Sequence, residues 1–591
     1  MTKCTQYLLY ALVLVFVFSP SLALNSRVSS LYSEDDPLSE LNSTLFNKRV
    51  LGSSKVWIIE FYNNWCGHCI RYAPTWKQFA REITTWKRIV DIAVVNCNDA
   101  QNVKLCRFYE VESFPTIKMF WLNTLPNDTG TIINGNRDII SLENHVVDFL
   151  ETNWNKGVPS DWPVFKAIQM ENLADITEAM PDRKQSVMLF VEFPDYHVGR
   201  KVILDISFQI SVSVSRILTT SEKLMTDLDI EVSNTTVPLL TRVYRNNFQM
   251  PLLKFTRYDN DSYIRDQIFK FLVGIPRSGG KKIEDFLPDE QLKNNISNIN
   301  AAYMIDLENA VYNSLSKEIG VVKLIEGEKL KALTNYLHVL EKYFPGNPYM
   351  MKYLTNFYNW VASKAAISGE EFVEAMQAKQ NKKHYLHPMR PWVGCQGSEP
   401  KYRGYPCSLW MLFHTLTVQA DKKSKEMMNG PKGKDVLFII RDYVKYFFTC
   451  EECSKNFLKM AHNLETEVGN SQEAVLWLWE GHNKVNNRLS GDVTEDPQYP
   501  KVQFPSVEDC PKCVLRIDNE ANEIIWDKPV VLEFLHNFYD KKNILSYSER
   551  KTHRSLINDQ INAANTAMGI KFILFLTSAP LLLSTLTFTR L

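Results

Sequence analysis

Residues 56–69 read VWIIEFYNNWCGHC, an apolar run that leads directly into a Cys-Gly-His-Cys dithiol. The apolar run from Val56 to Tyr62 is typical of a buried strand. Helical spacing follows from Tyr72 to Trp86, and a second apolar strand is predicted from Ile89 to Val95. A strand, a helix and a second strand in this order indicate a βαβ unit with two parallel strands.

The dithiol stands at the predicted start of that helix, and this position indicates redox chemistry. The helix N-terminus stabilises negative charge, so we expect Cys66 to be the attacking thiolate and Cys69 the resolving thiol. His68 between them is expected to stabilise the thiolate further. Glu60, in the strand before the motif, is placed to accept the proton of Cys69. A structural disulfide or half of a metal site fits this spacing after a strand less well.

Pro115 lies in a Phe-Pro-Thr context at the start of another predicted strand, from Ser113 to Phe120. A cis proline in this context can face the dithiol and shape a peptide-binding edge. Cys97 and Cys106 fit a structural disulfide better than a second active pair. We place the redox-active α/β domain at residues 30–155.

The composition limits the class of protein. The chain has 591 residues, the length of roughly four domains. Its 67 basic and 67 acidic residues give a formal net charge of zero, which argues against a nucleic-acid-binding protein. Hydrophobic residues at 45% and aromatic residues at 12% exclude a disordered chain. The 11 cysteines are too few for a disulfide scaffold.

Periodicity and composition divide the rest of the chain into further units. A second α/β segment contains no cysteine, and helical segments follow a Ser-Gly-Gly-Lys-Lys linker at 278–282. We expect a hinge around residues 276–290. The predicted strands of the second segment are Val187–Phe193, Phe208–Val214 and Leu239–Tyr244. The predicted units are 156–276 for the cysteine-free α/β domain, 286–385 for a helical connector, 390–545 for a second helical domain and 546–567 for a polar stalk.

Residues 1–23 have the charged, apolar and small-residue order of a secretory signal peptide, with cleavage after Ala23. A retained anchor is less favoured because the apolar run is short. Removal of this segment removes Cys4 and leaves ten cysteines, an even number, in an oxidising compartment. Five glycosylation sequons fit passage through the lumen, at Asn42, Asn127, Asn234, Asn260 and Asn295.

The C-terminal end carries an uncharged segment, residues 572–588, between Lys571 and Arg590. This pattern favours a transmembrane helix over residues 568–589, with the cations at the membrane surfaces. Small residues at 562–564 followed by an apolar tail also fit the signal for a lipid anchor. Both attachments stay open, and the spanning helix is the favoured one.

A second dithiol, Cys450-Glu451-Glu452-Cys453, lies between two helical segments that are rich in tryptophan and histidine. Each segment places its residues on one helical face, Cys407, Trp410 and His414 in the first and Trp479, His482 and Asn486 in the second. A flat aromatic cofactor would use such groups, with indoles to stack and with Arg403 and Lys501 to bind phosphates. Any one tryptophan alone fits a hydrophobic core better.

Zinc is the alternative for this dithiol together with Cys510-Pro511-Lys512-Cys513. The intervening gap of 56 residues far exceeds zinc-ribbon spacing, and an oxidising compartment favours disulfides, so we expect no metal.

The motifs carry two resemblances. The stretch from Glu60 to Cys69 resembles a thioredoxin domain of the protein disulfide isomerase type, with Asn63-Asn64 where Ala-Pro is more usual. Cys-x-x-Cys followed by Trp-x-x-His-Asn-x-Val-Asn is similar to the FAD-binding four-helix domain of the Erv/ALR sulfhydryl oxidases. A chain with both resembles the quiescin sulfhydryl oxidase family. The implied fold class is multidomain, with thioredoxin-like α/β domains followed by an all-α connector and a four-helix-bundle FAD domain.

The second resemblance implies a set of FAD contacts, in which Asn456 and Phe504 stand where the family can present a histidine and a tryptophan. It also implies a structural disulfide between Cys395 and Cys407 and a third dithiol at Cys510 and Cys513. The implied FAD contacts are Arg403, Trp410, His414, Glu452, Asn456, Trp479, His482, Asn483, Val485, Asn486, Lys501 and Phe504.

The family resemblance implies an FAD-dependent thiol oxidase that introduces disulfide bonds into proteins. Electrons would pass from reduced secretory proteins to Cys66/Cys69, then to Cys450/Cys453, FAD and O2, with release of H2O2. We expect a monomer of the secretory pathway, in the Golgi membrane or at the cell surface, attached through its C-terminal helix. A flavin-free isomerase or chaperone is the alternative, and an adhesion protein with inactive redox motifs is a third possibility.

Overall fold

The computed structural model describes residues 29–170, 172–180, 185–208, 214–277, 301–380, 385–386, 390–423, 432–518 and 523–546. The predicted signal peptide, the linker at 278–282, the Asn295 sequon and the C-terminal spanning helix lie outside these residues. So do most of the predicted hinge and nearly all of the predicted stalk. Within the described ranges, no helix is long and apolar enough to cross a membrane.

The first unit is a five-stranded sheet with helices on both sides, in the strand order β1-β3-β2-β4-β5. Strand β2 has the predicted bounds, runs parallel to β3 and antiparallel to β4, and is buried along its whole length. Because both faces of β2 are covered, its sequence is continuously apolar except at Glu60. The strands are β1 Ser39–Glu40, β2 Val56–Tyr62, β3 Val90–Asn96, β4 Thr116–Phe120 and β5 Thr131–Ile132. The helices are α1 Ser43–Arg49, α2 Gly67–Glu82, α3 Val103–Phe108 and α4 Ile139–Asn153.

The second unit repeats this architecture with a four-stranded sheet in the order β7-β6-β8-β9. Only the two ends of the strand predicted at Phe208–Val214 lie within the described residues. Phe208 lies in a turn after the helix Val198–Asp205, and Val214 belongs to β7. The strands are β6 Ser186–Glu192, β7 Val214–Leu218, β8 Leu239–Tyr244 and β9 Gln249–Lys254. The helices are α5 Leu173–Glu178, α6 Val198–Asp205, α7 Glu222–Asp227 and α8 Asp261–Val273.

Buried ion pairs join the two α/β units. Arg265 of α8 is bonded to Asp205 of α6 and to Glu143 of α4, and all three side chains are buried. Lys201 lies 3.2 Å from Glu143 and 2.9 Å from Asp261. Removal of one partner would leave an unpaired buried charge, so these two units hold each other in one arrangement.

The C-terminal half is helical, as predicted, and packs its helices against one another. The first group is α9 Met304–Asn313, a π-helical turn Ser314–Ile319, α10 Gly327–Tyr343, α11 Pro348–Ala362 and α12 Gly369–Ala378. The second group is α13 Gly404–Lys423, α14 Gly433–Phe447, α15 Glu451–Met460, α16 Leu464–Glu467, α17 Ser471–Leu489 and α18 Lys528–Phe538. The thioredoxin-like and helical fold class predicted from the sequence is confirmed.

Two small antiparallel sheets interrupt the helices, although the sequence predicted helix throughout. One joins β10 Leu324–Glu326 to β11 Ala366–Ser368, and the other joins β12 Val514–Asp518 to β13 Glu523–Trp526. The second sheet places Trp526 edge-on against Trp479 of α17, with ring centroids 5.5 Å apart. This tertiary contact together with β-branched residues favours strands over a helix.

Candidate functional site

The two dithiols lie together, each at the start of a helix. Cys66 is the N-cap of α2, and Cys450 is the N-cap of α15. The backbone N–H of Phe114 donates to the carbonyl of Thr449 at 2.8 Å, and Phe114 forms a parallel bridge with Cys450. The Cys66 thiol lies 3.8 Å from the Phe114 carbonyl. The edge beside Pro115, whose peptide bond is cis, therefore holds Thr449 and Cys450 through one backbone hydrogen bond and one β-bridge.

The oxidation states of the two pairs differ. Cys66 and Cys69 carry free thiols, whereas Cys450 and Cys453 are joined in a disulfide. Thiol–disulfide exchange requires a thiolate next to a disulfide sulfur. The arrangement therefore places two free thiols beside a disulfide.

An aromatic contact and an ion-pair cluster flank the dithiols. Trp65 stacks on Phe448 with ring centroids 5.8 Å apart and meets Tyr405 edge-on at 5.0 Å. On the other side, the Arg71 guanidinium lies 2.5 Å from Glu452 and 3.3 Å from Asp492. The redox-active domain thus contacts the helical domain through one apolar and one charged patch.

The buried carboxyl of Glu60 affects the protonation of the Cys69 thiol in the first dithiol. Burial raises the pKa of Glu60 to about 8, and a hydrogen bond from the Tyr32 hydroxyl opposes this rise. Burial also raises the pKa of the Cys69 thiol well above its usual value, and neighbouring Cys66 and Glu60 raise it further. Glu60 Oε1 has no hydrogen-bond partner among the described residues. This oxygen is free to take up a proton.

The surroundings of His68, between the two cysteines of the first dithiol, disfavour the charged imidazole. Burial lowers the pKa of His68, although Glu452 opposes the shift from 4.0 Å away. The lowered pKa favours the neutral form of the imidazole.

A cavity of about 380 Å³ lies beside Cys453. Most of the residues predicted to contact FAD line it, and the first α/β unit adds Trp65, Gly67, Ile70 and Arg71 to its wall. Inside it, the Trp410 and His482 rings are parallel, with centroids 4.2 Å apart. The predicted residues that line the cavity are Arg403, Trp410, Glu452, Asn456, His482, Val485, Asn486, Lys501 and Phe504.

Three of the predicted contacts, His414, Trp479 and Asn483, lie behind the cavity wall. His414 Nε2 lies 3.1 Å from Nδ1 of His482, so it orients that ring. Asn483 exchanges two hydrogen bonds with the Phe504 backbone, at 2.8 and 2.9 Å, and Trp479 Nε1 donates to the Phe504 carbonyl. These side chains position wall residues rather than forming the wall.

The charges of the cavity fit a bound anion. Burial lowers the pKa of Arg403, and burial together with Arg403 lowers the pKa of Lys501. Arg403 Nε has no hydrogen-bond partner within the described ranges. Two desolvated cations beside an aromatic slot suit a dinucleotide with a diphosphate and a flat ring, so the residues present fit FAD.

Known families match the chain in the same order as its units. The thioredoxin family model matches residues 37–146, the model described as flavin adenine dinucleotide (FAD)-dependent sulfhydryl oxidase matches 298–398, and that of the Erv1/Alr family matches 407–505. Sulfhydryl oxidase 1 of Mus musculus is 34% identical over 555 residues, which cover 92% of this chain and 72% of that protein. The chain belongs to the sulfhydryl oxidase family.

Other sulfhydryl oxidases are similarly related. Sulfhydryl oxidase 2 of Homo sapiens is 32% identical over 534 residues, covering 86% of this chain and 73% of that protein. The solved sulfhydryl oxidase fragment of human QSOX1 is 40% identical, with a TM-score of 0.39, and covers 42% of this chain and 100% of that fragment. Family membership confirms the thiol oxidase class and the FAD cofactor predicted from the motifs.

This sulfhydryl oxidase has further residues at the site that the sequence reasoning missed. Lys401 and Tyr499 line the cavity, and the Arg403 guanidinium lies over the Tyr499 ring at 4.9 Å. Both stand within two residues of a predicted contact, in Lys-Tyr-Arg and Tyr-Pro-Lys, so a wider window around each cation would have included them. Glu318 contacts Thr449 from a distant part of the chain, and no local motif marks it.

The other predicted cysteines form three disulfides, Cys97–Cys106, Cys395–Cys407 and Cys510–Cys513. Cys513 is buried beside Trp479 and away from both redox-active pairs. Among the sequons, Asn127, Asn234 and Asn260 are exposed, whereas Asn42 is half-buried and caps α1 through a hydrogen bond from the Leu45 N–H.

Proposed function

We propose that this sulfhydryl oxidase uses Cys66/Cys69 as its entry dithiol for protein thiols and Cys450/Cys453 as the dithiol that reduces its flavin. The observation that carries this assignment is the backbone pairing of Phe114 with Thr449 and Cys450, which places a free thiol pair against a disulfide. Bound FAD supplies a two-electron acceptor that O2 reoxidises with formation of hydrogen peroxide.

Oxidation of the substrate precedes the contact between the two dithiols. A substrate thiolate attacks the Cys66–Cys69 disulfide at Cys66, forming a mixed disulfide and releasing Cys69 as a thiolate. A second substrate thiolate attacks the mixed disulfide, so that the substrate leaves with a new disulfide and Cys66 leaves as a thiolate. Two electrons then reside on the Cys66/Cys69 pair.

Transfer between the dithiols follows the same chemistry. The Cys66 thiolate attacks Cys450, a Cys66–Cys450 bond forms, and Cys453 leaves as a thiolate. Cys69 gives its proton to Glu60 and attacks Cys66, which releases Cys450 and closes the Cys66–Cys69 disulfide. Cys450 is buried against the first domain whereas Cys453 lines the cavity, which supports these two roles.

The cavity residues have distinct tasks in this proposal. Trp410 and His482 stack against the flat rings, Arg403 and Lys501 bind the diphosphate, and Asn486 supplies a hydrogen bond. His414, Trp479 and Asn483 hold these side chains from behind. Closure by Trp65 and Arg71 excludes water from the space beside Cys453.

The cellular setting belongs to the same proposal. A signal peptide at 1–23, the glycosylation sequons and a spanning helix at 568–589 would place the catalytic units in the lumen of the secretory pathway or outside the cell, with the Golgi membrane as one residence. The substrates would be reduced secretory proteins, and the enzyme would act as a monomer. Its domains would have the boundaries that the sequence predicts.

Oxygen uptake by the full chain tests the assignment. Purified protein should be yellow and should consume O2 and release H2O2 when it is given reduced, unfolded ribonuclease. Cys450→Ser should abolish this uptake, because the entry dithiol then has no acceptor. The double variant Cys510→Ser/Cys513→Ser is the matched control and should retain uptake. A colourless protein that still reshuffles disulfides would instead indicate a flavin-free isomerase, and unchanged uptake by Cys450→Ser would exclude the relay.

A further inference from the structure

The π-helical turn Ser314–Ile319 lies between the redox-active domain and the second dithiol. π-helical turns are rare and occur frequently at functional sites. Two neighbouring residues of this turn, Lys317 and Glu318, contact different partners. Neither belongs to a redox motif, and both face residues next to a reactive dithiol.

Glu318 holds the segment before Cys450. Its carboxylate accepts a hydrogen bond of 2.8 Å from the backbone N–H of Thr449 and bonds of 3.0 and 3.1 Å from the Thr449 hydroxyl. Glu318 is 2% exposed, and burial raises its pKa to about 8. The Thr449 carbonyl in turn accepts from Phe114. Glu318 therefore fixes the backbone that presents Cys450 to the cis-proline edge.

Lys317 holds the opposite side of the contact. Its ammonium donates to the carbonyl and the side-chain oxygen of Asn98, at 2.8 and 2.7 Å. The amide of Asn98 donates to Asn64 at 2.8 Å, and Asn64 is two residues before Cys66. Desolvation lowers the pKa of Lys317 to about 8. Hydrogen bonds therefore connect the helical unit to Asn64, two residues before the entry dithiol.

The asparagines at this contact are the residues that depart from the usual Ala-Pro. Asn63 reaches the Thr449 hydroxyl at 3.4 Å, and Asn64 accepts from Asn98. Alanine and proline have no side-chain donor or acceptor, so they could make neither bond. The departure in sequence therefore coincides with the contact between domains.

We propose that Lys317 and Glu318 are positioning residues that dock the Asn63–Asn64 surface and hold Thr449–Cys450 in register, so that Cys66 meets Cys450. This inference rests on the proposed electron relay and assigns the docking surface to the helical connector. It concerns only the exchange between the dithiols, and it adds no reactant to that step. Oxidation of substrate at Cys66 does not involve either residue.

Trapping of the mixed disulfide tests this inference in the full flavin-containing chain. In Cys69→Ser, Cys66 attacks Cys450 and cannot be resolved, so a Cys66–Cys450 disulfide accumulates with Cys453 free. Peptide mass spectrometry after alkylation measures the trapped fraction and its rate of formation. Adding Lys317→Met or Glu318→Ala should slow trapping by roughly tenfold or more, since each change removes hydrogen bonds to a charged group at a buried contact.

Lys329→Met is the matched control, because Lys329 pairs with Glu112 across the same two units but both side chains are partly exposed. This variant should change the rate by roughly twofold or less. Asn64→Ala, on the opposite surface, should reproduce the effect of Lys317→Met. Agreement between the two variants would exclude misfolding of one of them as the cause. When the same substitutions are made in the chain that retains Cys69, reduction of the Cys66–Cys69 disulfide by ribonuclease thiols should keep its parent rate.

The outcomes separate the two proposals. If Cys69→Ser alone forms no Cys66–Cys450 disulfide, the relay itself is wrong. If the disulfide forms but Lys317→Met and Glu318→Ala trap it at the parent rate, the relay stands and the positioning role is refuted. Bleaching of the flavin by dithiothreitol in each Lys317 variant verifies that the helical unit retains its cofactor.

Discussion

Replacement of Glu60 by glutamine should separate proton transfer from the other steps of the relay. Glu60 is fully buried, its pKa is raised to about 8 by burial, and its unpaired Oε1 is available to Cys69. Cys69 has to lose its proton to attack Cys66, and burial raises the pKa of this thiol well above its usual value. A buried thiol of this kind reacts slowly unless a base lies nearby.

The size of the effect follows from these two groups. General-base assistance contributes about a hundredfold or more to the rate of a step that it serves. With a pKa of about 8, Glu60 is ionised in about one molecule in ten at pH 7. Transfer in the parent protein should therefore rise with pH up to about 8 and then level off. Glu60→Gln should therefore be roughly tenfold slower at pH 7 and approach a hundredfold deficit above pH 8, where the parent base is mostly ionised, and its rate should continue to rise with pH.

Anaerobic rapid mixing of the full chain with reduced ribonuclease measures this step as the rate of flavin bleaching across the pH range. Glu40→Gln is the control, since Glu40 is an exposed carboxylate on β1 of the same sheet and should leave the profile unchanged. Parent-like bleaching with a parent-like pH profile in Glu60→Gln would refute the assignment of Glu60 as the proton acceptor.

Three further substitutions test the surroundings of the two dithiols. Tyr32→Phe removes the hydrogen bond that lowers the pKa of Glu60, so the pH profile of flavin bleaching should move to higher pH; an unmoved profile would exclude this coupling. Arg71→Met removes partly exposed ion pairs to Glu452 and Asp492. It should slow flavin bleaching by roughly three- to tenfold at low salt and by less at high salt. An effect that is independent of salt would contradict an electrostatic role. Lys501→Met should weaken FAD binding by roughly tenfold, as measured by the fluorescence of released flavin, and unchanged retention would remove Lys501 from the diphosphate site.

Local patterns predicted the elements that carry the first dithiol. Strand β2 has its predicted bounds because a central strand buried on both faces is continuously apolar. The prediction failed at β12 and β13, where packing of Trp526 against Trp479 decides the structure. Composition alone does not encode such tertiary contacts.

At the candidate site too, local motifs predicted some of the residues, whereas contacts between distant parts of the chain were missed. Spacing placed Trp410 on one face of helix α13 and His482 on one face of α17, and the structure brings these two rings together. Glu318 and Thr449 are 131 residues apart in the chain, so no motif could join them. Asn63 and Asn64 were visible only as a departure from a familiar pattern, and their contacts give that departure a physical reason.

The energetics of the interfaces indicate which contact opens during turnover. Cys66 is fully buried in the docked arrangement, so a protein substrate can reach it only after the domains separate. The two α/β units are joined by the buried Arg265 network and by Arg277, which bonds to Glu82 and Asp266. Removal of one partner of a buried pair costs about 3–5 kcal/mol, because it leaves an uncompensated buried charge. These charges are matched in only one arrangement of the two units, so the units should move together.

The ion pairs with the helical unit are more exposed. Lys104–Glu370, Lys323–Glu110 and Lys329–Glu112 are exposed or partly exposed to solvent, and such pairs contribute about 0–1 kcal/mol each. At Lys317 and Glu318, desolvation of both charges offsets much of the gain from their hydrogen bonds. The apolar part of this contact, where Trp65 packs on Phe448 and Tyr405 within one buried cluster, therefore supplies most of its stabilisation. In the proposed relay the entry dithiol alternates between substrate and flavin domain, so this apolar contact has to open and close in each turnover.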